Sequence, residues 1–204
     1  MKLLWIDTET TGLNKEKCDI IQLAGIIIID GEEKERFNFH CQPINYENIE
    51  QEALNVTGKT IEDLKKYPMP QEVFNKFKNL LKKYVDPYDK YDKFFVAGHN
   101  VSFDLEFIQT FFNKMGDRYC MSFFRHQTVD LMSLSTILLT AGLISPENLK
   151  LGTLAKYLGI PDDPNLHDAS VDIDLTRKCF CKLVSKYINF EDEECTGQQK
   201  TEQN

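Results

Sequence analysis

No Cys-x-x-Cys pair occurs among the six cysteines, which stand at positions 18, 41, 120, 179, 181 and 195. A zinc ribbon, a dithiol redox site and a disulfide framework are therefore not indicated, and the thiols read as reduced, in a cytoplasmic or nuclear setting. No apolar run is long enough to cross a bilayer. Residues 20–29 come nearest, but Gln22 interrupts them and the stretch is too short. With no signal-peptide pattern either, a soluble, cytoplasmic protein with no membrane partner is expected. Positive charge is also scarce: Lys and Arg number 24 against 32 Asp and Glu, a formal net charge of −8. Phosphate binding usually needs local positive potential, which this balance does not supply by itself. Part of the excess sits in residues 191–204, where Glu191, Asp192, Glu193, Glu194 and Glu202 face a single Lys200. Divalent cations bound to the body would offset much of the rest, so net charge decides little. No internal repeat is present.

What is there fits one domain over residues 1–190, followed by a disordered acidic and polar tail, 191–204. Apolar patterning predicts strands over 2–6, 20–30 and 34–42, joined by a turn at Gly31-Glu32, so the chain opens as an antiparallel meander. Short helices are expected over 50–57 and 60–67. A longer one runs from Pro70 to about Val85, with Val73, Phe74, Phe77, Leu80 and Leu81 on one face. After a polar loop at 86–93 come a strand at 94–98, a helix over 102–114, a strand at 119–125, and helices over 129–141, 148–158 and 168–187. This order argues for an α/β fold: a mixed five-stranded sheet, three antiparallel strands first, with helices on both faces.

Acidic residues at element ends are the candidates for chemistry. Asp7 and Glu9 are two apart at the end of a strand, so both side chains point the same way. Side by side they repel unless a cation bridges them; otherwise they are solvated turn acids. Asp104 falls in the first turn of a helix. There it either complements the helix N-terminus or stands as a rigid ligand at the sheet edge. Asp172 lies just over one turn into the helix that begins near Asp168. His167 precedes that helix, in the loop 161–167. It is either a flanking residue or a general base that enters and leaves a site. Gathered together, the carboxylates form an oxygen-only donor set suited to Mg²⁺ or Mn²⁺. His40, His99 and His126 lack an acid at ligand spacing, Trp5 reads as core, and the lysines between 65 and 93 read as a solvated face.

Three segments, DTETTGL at 7–13, HNVSFD at 99–104 and HDASVD at 167–172, occur in that order and span most of the folded chain. With them the sequence resembles the DEDDh 3′→5′ exonucleases, the family of the proofreading epsilon subunit of bacterial DNA polymerase III. A sister group carries tyrosine where this chain has His167. The resemblance implies a ribonuclease-H-like sheet and a two-metal mechanism. Asp7, Glu9 and Asp172 would hold one Mg²⁺ or Mn²⁺ ion, Asp7 and Asp104 a second. His167 would be the base acting on the attacking water. The substrate would be a nucleic-acid 3′ end, single-stranded or frayed, DNA in preference to RNA, with a DNA polymerase as a candidate partner. Backbone near Thr10 and Thr11 would meet the terminal sugar, and Leu13 the terminal base. Phe103 either stacks on a base or packs in the core, and Asn100 either touches substrate or caps its helix. Two other readings stand beside this one: an exoribonuclease trimming RNA, and a non-catalytic nucleic-acid-binding domain. A phosphotransferase with an aspartyl nucleophile fits less well, because it would want an aspartate where Glu9 stands.

Overall fold

The computed structural model describes residues 1–161 and 167–187. Most of the expected 161–167 loop and the expected tail lie outside the described residues.

β1 (Lys2–Thr10), β2 (Ile20–Ile29) and β3 (Glu32–His40) form the antiparallel meander. β4 (Phe94–Gly98) and β5 (Phe124–Asp130) add in parallel, giving a five-stranded sheet in the order β3-β2-β1-β4-β5. Between the strands run α1 (Gln51–Thr57), α2 (Ile61–Leu64), α3 (Pro70–Tyr84) and α4 (Val101–Lys114). After β5 come α5 (Leu131–Thr140), α6 (Leu151–Tyr157) and α7 (Ala169–Tyr187). None of the described helices is long and apolar enough to cross a membrane. The described cysteines are free thiols.

Alternation along β1 divides the core. Leu4 and Ile6 point to the face covered by α3 and α4, into a cluster with Phe74, Phe77, Phe107, Phe111 and Phe112. Phe74 and Phe112 meet edge to face with ring centroids 5.0 Å apart, an arrangement that adds to the value of simple burial. Trp5 points to the opposite face, with Ala24, Ile26 and Ala97, and is covered by Ala169 and Ile173 of α7. The helices therefore lie on both faces.

Three expectations need correction. β1 does not stop at Ile6. Asp7, Thr8 and Glu9 go on pairing with Ala24, Leu23 and Gln22 because β2 is long enough to partner them, and the register slips only between Glu9 and Thr10. The first turn is Asp30-Gly31, not Gly31-Glu32. Both residues have positive φ, 51° and 85°, the pattern of a two-residue hairpin whose twist matches the strands. The last strand is shifted. Cys120 and Phe123 are buried in a 3₁₀ turn, and β5 begins only at Phe124. Arg125, His126 and Gln127 make this edge strand polar, so its sequence carries no alternation to find.

Candidate active site

Asp7 and Glu9 leave β1 on the Trp5 face, where the start of α7 packs. Asp172, in the first turn of that helix, comes to meet them. Carboxylate oxygens of Asp7, Glu9 and Asp172 all lie within 4.8 Å of one another. Thr8, between the two acids, points to the other face, and there its hydroxyl donates to Asp104 Oδ1 at 2.7 Å. Asp104 is thus not a member of the tight trio. It stands at the start of α4, buried, held from the opposite side of the same strand end. One strand terminus with helix starts on either side has collected acids from three distant parts of the chain.

Electrostatics shows what this gathering costs. Loss of solvent around the Asp7 carboxyl, then the charges of Asp104, Glu9 and Asp172, hold it well above the usual range. Glu9 is pushed up to about 8, first by desolvation, then by Asp172 and Asp104. Burial takes Asp104 to about 7, against the pull of its Thr8 hydrogen bond. Carboxyls raised this way by burial and by one another are relieved by a cation, and an all-oxygen donor set suits a hard divalent one. The residues present therefore fit the metal the sequence implies.

His167 is exposed, with φ +73°, and its backbone N–H donates to Asp172 Oδ2 at 3.3 Å. That bond places the histidine beside the acid trio. Asp168, next in sequence, is turned to structural use. Its carboxylate accepts from the Ser170 backbone N–H at 3.0 Å and from Gln22 Nε2 at 3.1 Å.

A cavity of about 300 Å³ opens next to Glu9, walled by Thr8, Thr10, Gly12, Leu13 and Phe103 on one side and by Glu52, Ala53, Val56 and Thr57 of α1 on the other. Leu13 is 80% exposed and Val56 54% exposed, so the cavity offers apolar surface to solvent. Phe103 has the packing role that the sequence offered, and its ring also borders the cavity. It packs on Phe107 with ring centroids 4.8 Å apart. Thr10 is buried, its hydroxyl donating to the Gly12 carbonyl at 2.8 Å. Thr11 does not line the cavity. It is fully buried, its N–H donates to the Asp19 carbonyl at 2.9 Å, and its carbonyl accepts from the Glu50 N–H at 2.8 Å. Gly12 allows a close approach: a Cβ there would meet the Sγ of buried Cys18 at 2.7 Å.

Asn100 does not cap α4 with its side chain. It takes φ 60° and ψ 44°, and its N–H donates to Asp130 Oδ1 at 2.7 Å. Asp130 itself caps α5, so one carboxylate ties the turn before Asp104 to the next helix. Sequence reasoning missed Asp130 and the α1 wall of the cavity. Their only signals were an aspartate just before an apolar helix and an apolar residue on the wrong face of a short one. Four lysines of the middle region pair with acids: Lys66 with Asp63 and Lys76 with Glu72 close by in sequence, Lys78 with Asp117 and Lys83 with Glu35 across the fold.

A family model described as Exonuclease, RNase_T, matches residues 4–180. The chain is 31% identical over 182 residues to a PolC-type DNA polymerase III of Staphylococcus haemolyticus, and 29% identical over 178 residues to that of Halalkalibacterium halodurans. These alignments take in 88% and 87% of this chain but 11% of each relative, so the chain spans only a small part of their length. Among solved structures, an E. coli exonuclease I–ssDNA complex in its zinc-bound form superposes with a TM-score of 0.73. It shares 23% identity and covers 90% of this chain and 40% of its own, a likeness in fold. Exonuclease I with a dT13 oligonucleotide gives a TM-score of 0.72.

Proposed function

This chain belongs to the RNase_T exonuclease family, and on that premise we propose that it is a metal-dependent 3′→5′ exonuclease, releasing nucleoside 5′-monophosphates from single-stranded or frayed DNA 3′ ends. The observation that carries the reading is the meeting of Asp7, Glu9 and Asp172 within 4.8 Å, directly beside a cavity of nucleotide size. Asp7, Glu9 and Asp172 hold one divalent cation, and Asp104 joins Asp7 in holding a second, Mg²⁺ or Mn²⁺ in each case. When bound, the ions neutralise charge on the scissile phosphate and its attacking and leaving oxygens.

The protein's own groups do the rest. His167, fixed beside Asp172 through its backbone, removes the proton of the attacking water. Leu13, Val56 and Phe103 offer apolar surface to the terminal base, and Phe103 is the one able to stack. Thr10 and Gly12 bring backbone close to the terminal sugar. Thr11 acts behind them, fixing the turn rather than touching the sugar. Asn100 serves the same end, holding the turn that aims Asp104. DNA is favoured over RNA because the two sequence relatives named above are DNA polymerases and the two exonuclease I structures named above hold DNA. The same resemblance supports work beside a DNA polymerase, and the reduced cysteines support a cytoplasmic setting.

The test uses 5′-labelled DNA and RNA oligonucleotides, single-stranded and 3′-mismatched, with Mg²⁺ or Mn²⁺. A ladder shortening from the 3′ end, faster on DNA and abolished by EDTA, is the expected result. Faster RNA shortening would move the substrate to RNA. Binding without shortening under any metal would leave a non-catalytic nucleic-acid-binding domain and sink the enzyme reading.

A further inference from the structure

Gln22 breaks the longest apolar run of the chain, and the fold explains why a polar residue stands there. In the sheet it pairs with Glu9 on β1 and with His40 on β3, so the three side chains form one row on the α7 face. It is 1% exposed, and burying an amide is costly unless it is bonded. Its Nε2 donates to Asn38 Oδ1 at 3.0 Å and to Asp168 Oδ1 at 3.1 Å. Its Oε1 is buried with no hydrogen-bond partner among the described residues.

The second of those bonds reaches the start of α7. Asp168 Oδ1 also accepts from the Ser170 N–H, and the Asp168 carbonyl accepts from the Val171 and Asp172 N–H groups at 2.9 and 3.0 Å. The His167 N–H bonds back to Asp172. Residues 167–172, which lead into the first turn of α7, are therefore one bonded unit, and Gln22 bonds it to the strand that pairs with Asp7 and Glu9.

We propose that Gln22 is a positioning residue: its bond to Asp168 sets where His167 and Asp172 stand relative to Asp7 and Glu9. The role rests on the site reading given above. Partners that orient ligands without touching the metal typically cost about 10–100-fold in metal affinity or activity when removed. An unpartnered Oε1 is a price consistent with that role, since a leucine would pack the same space without leaving a buried carbonyl unbonded.

The experiment compares wild type with Gln22→Leu, Gln22→Glu and the double variant Gln22→Glu/Asp168→Asn on a single-stranded DNA oligonucleotide, alongside calorimetric titration with Mn²⁺. Gln22→Leu is expected to lose about 10–100-fold in kcat, with KM within about twofold and the melting temperature kept. Gln22→Glu puts a carboxylate against Asp168 and should lose as much or more. The double variant reverses donor and acceptor while conserving charge, and should recover most of the loss. The proposal is overturned by a Gln22→Leu protein with wild-type kcat, by a double variant no better than its singles, or by a loss that follows the melting temperature. Should wild type shorten no oligonucleotide, the functional reading fails on its own. The Mn²⁺ titration then decides the positioning role: weaker binding by Gln22→Leu supports it, equal binding ends it. If Gln22→Leu does not fold, Gln22→Glu against the double variant makes the same decision.

Discussion

The two ends of the central sheet treat the same residue types in opposite ways. At the hairpin end, acids meet cations. Asp92 pairs with Lys2, Glu35 with Lys83 and Asp30 with the chain's amino terminus, and the hydrogen bonds from these partners hold all three carboxyls below their usual range. At the other end, Asp7, Glu9, Asp104 and Asp172 meet one another, and burial with mutual repulsion holds Asp7, Glu9 and Asp104 above it. Folding alone favours the first arrangement. The second is kept at the cost of stability, as expected where charge is arranged for a ligand and for chemistry.

Each prediction below works on one side of that contrast. The largest effect belongs to Asp7→Ala, which removes the carboxylate shared by both proposed ions. Oligonucleotide shortening should fall by roughly 10³-fold or more, about 4 kcal/mol of barrier, in a gel assay. Undiminished shortening would put the catalytic acids elsewhere. His167→Ala should cost about 10²–10⁴-fold in kcat while calorimetry shows Mn²⁺ binding largely kept. A variant that loses the metal instead would make His167 a ligand. Phe103→Ala should act mainly on KM, by about 1–3 kcal/mol of stacking and so about 5–150-fold, in the same oligonucleotide assay.

The next effect is on stability. Asp7, Glu9 and Asp104 have folded pKa values raised above their unfolded ones, so the folded state binds more protons. Their contribution is fully present below pH about 4 and is lost as pH rises through about 7 to 8. The metal-free melting temperature should therefore fall across this window. Mn²⁺ at about 100 times its Kd should restore about 2.7 kcal/mol, and Glu9→Gln should melt about 2–4 °C above wild type without metal. Scanning calorimetry at pH 5 and pH 8 would show it, and a flat profile would break the contrast. Asp92→Asn, at the paired end, should be the mildest. Its Lys2 bridge is part-exposed, so about 1 kcal/mol or less is at stake, with no change in oligonucleotide shortening.

Legibility followed the strength of the local signal. The amphipathic spacing of Val73, Phe74 and Phe77 placed α3 correctly, because a helix face repeats within a few residues. β5 was misplaced, because its pairing partner lies thirty residues back and its exposed side chains carry no alternation. The cluster of Asp7, Glu9 and Asp172 was legible from motif order and strand parity. The α1 wall of the cavity was not, since nothing local in Ala53, Val56 or Thr57 says which strand end they will face. Asn100 suggested an ordinary cap, and only its positive φ and the reach of Asp130 revealed a different bond.

The sequence by itself determined which groups are available: the acids at strand and helix ends, the histidine before the last helix, and the alternation that places Asp7 and Glu9 on one face. Tertiary structure decided their working relations. Pairing of β1 with β2 carries the strand through Glu9, α7 brings Asp172 over it, and Thr8 holds Asp104 from behind. These depend on contacts between residues far apart in the chain, 165 positions for Asp7 and Asp172, and only the packed sheet brings such residues within range of one another's charge. The same packing turned Gln22, an interruption in an apolar strand, into a bond between that strand and the helix beside the site.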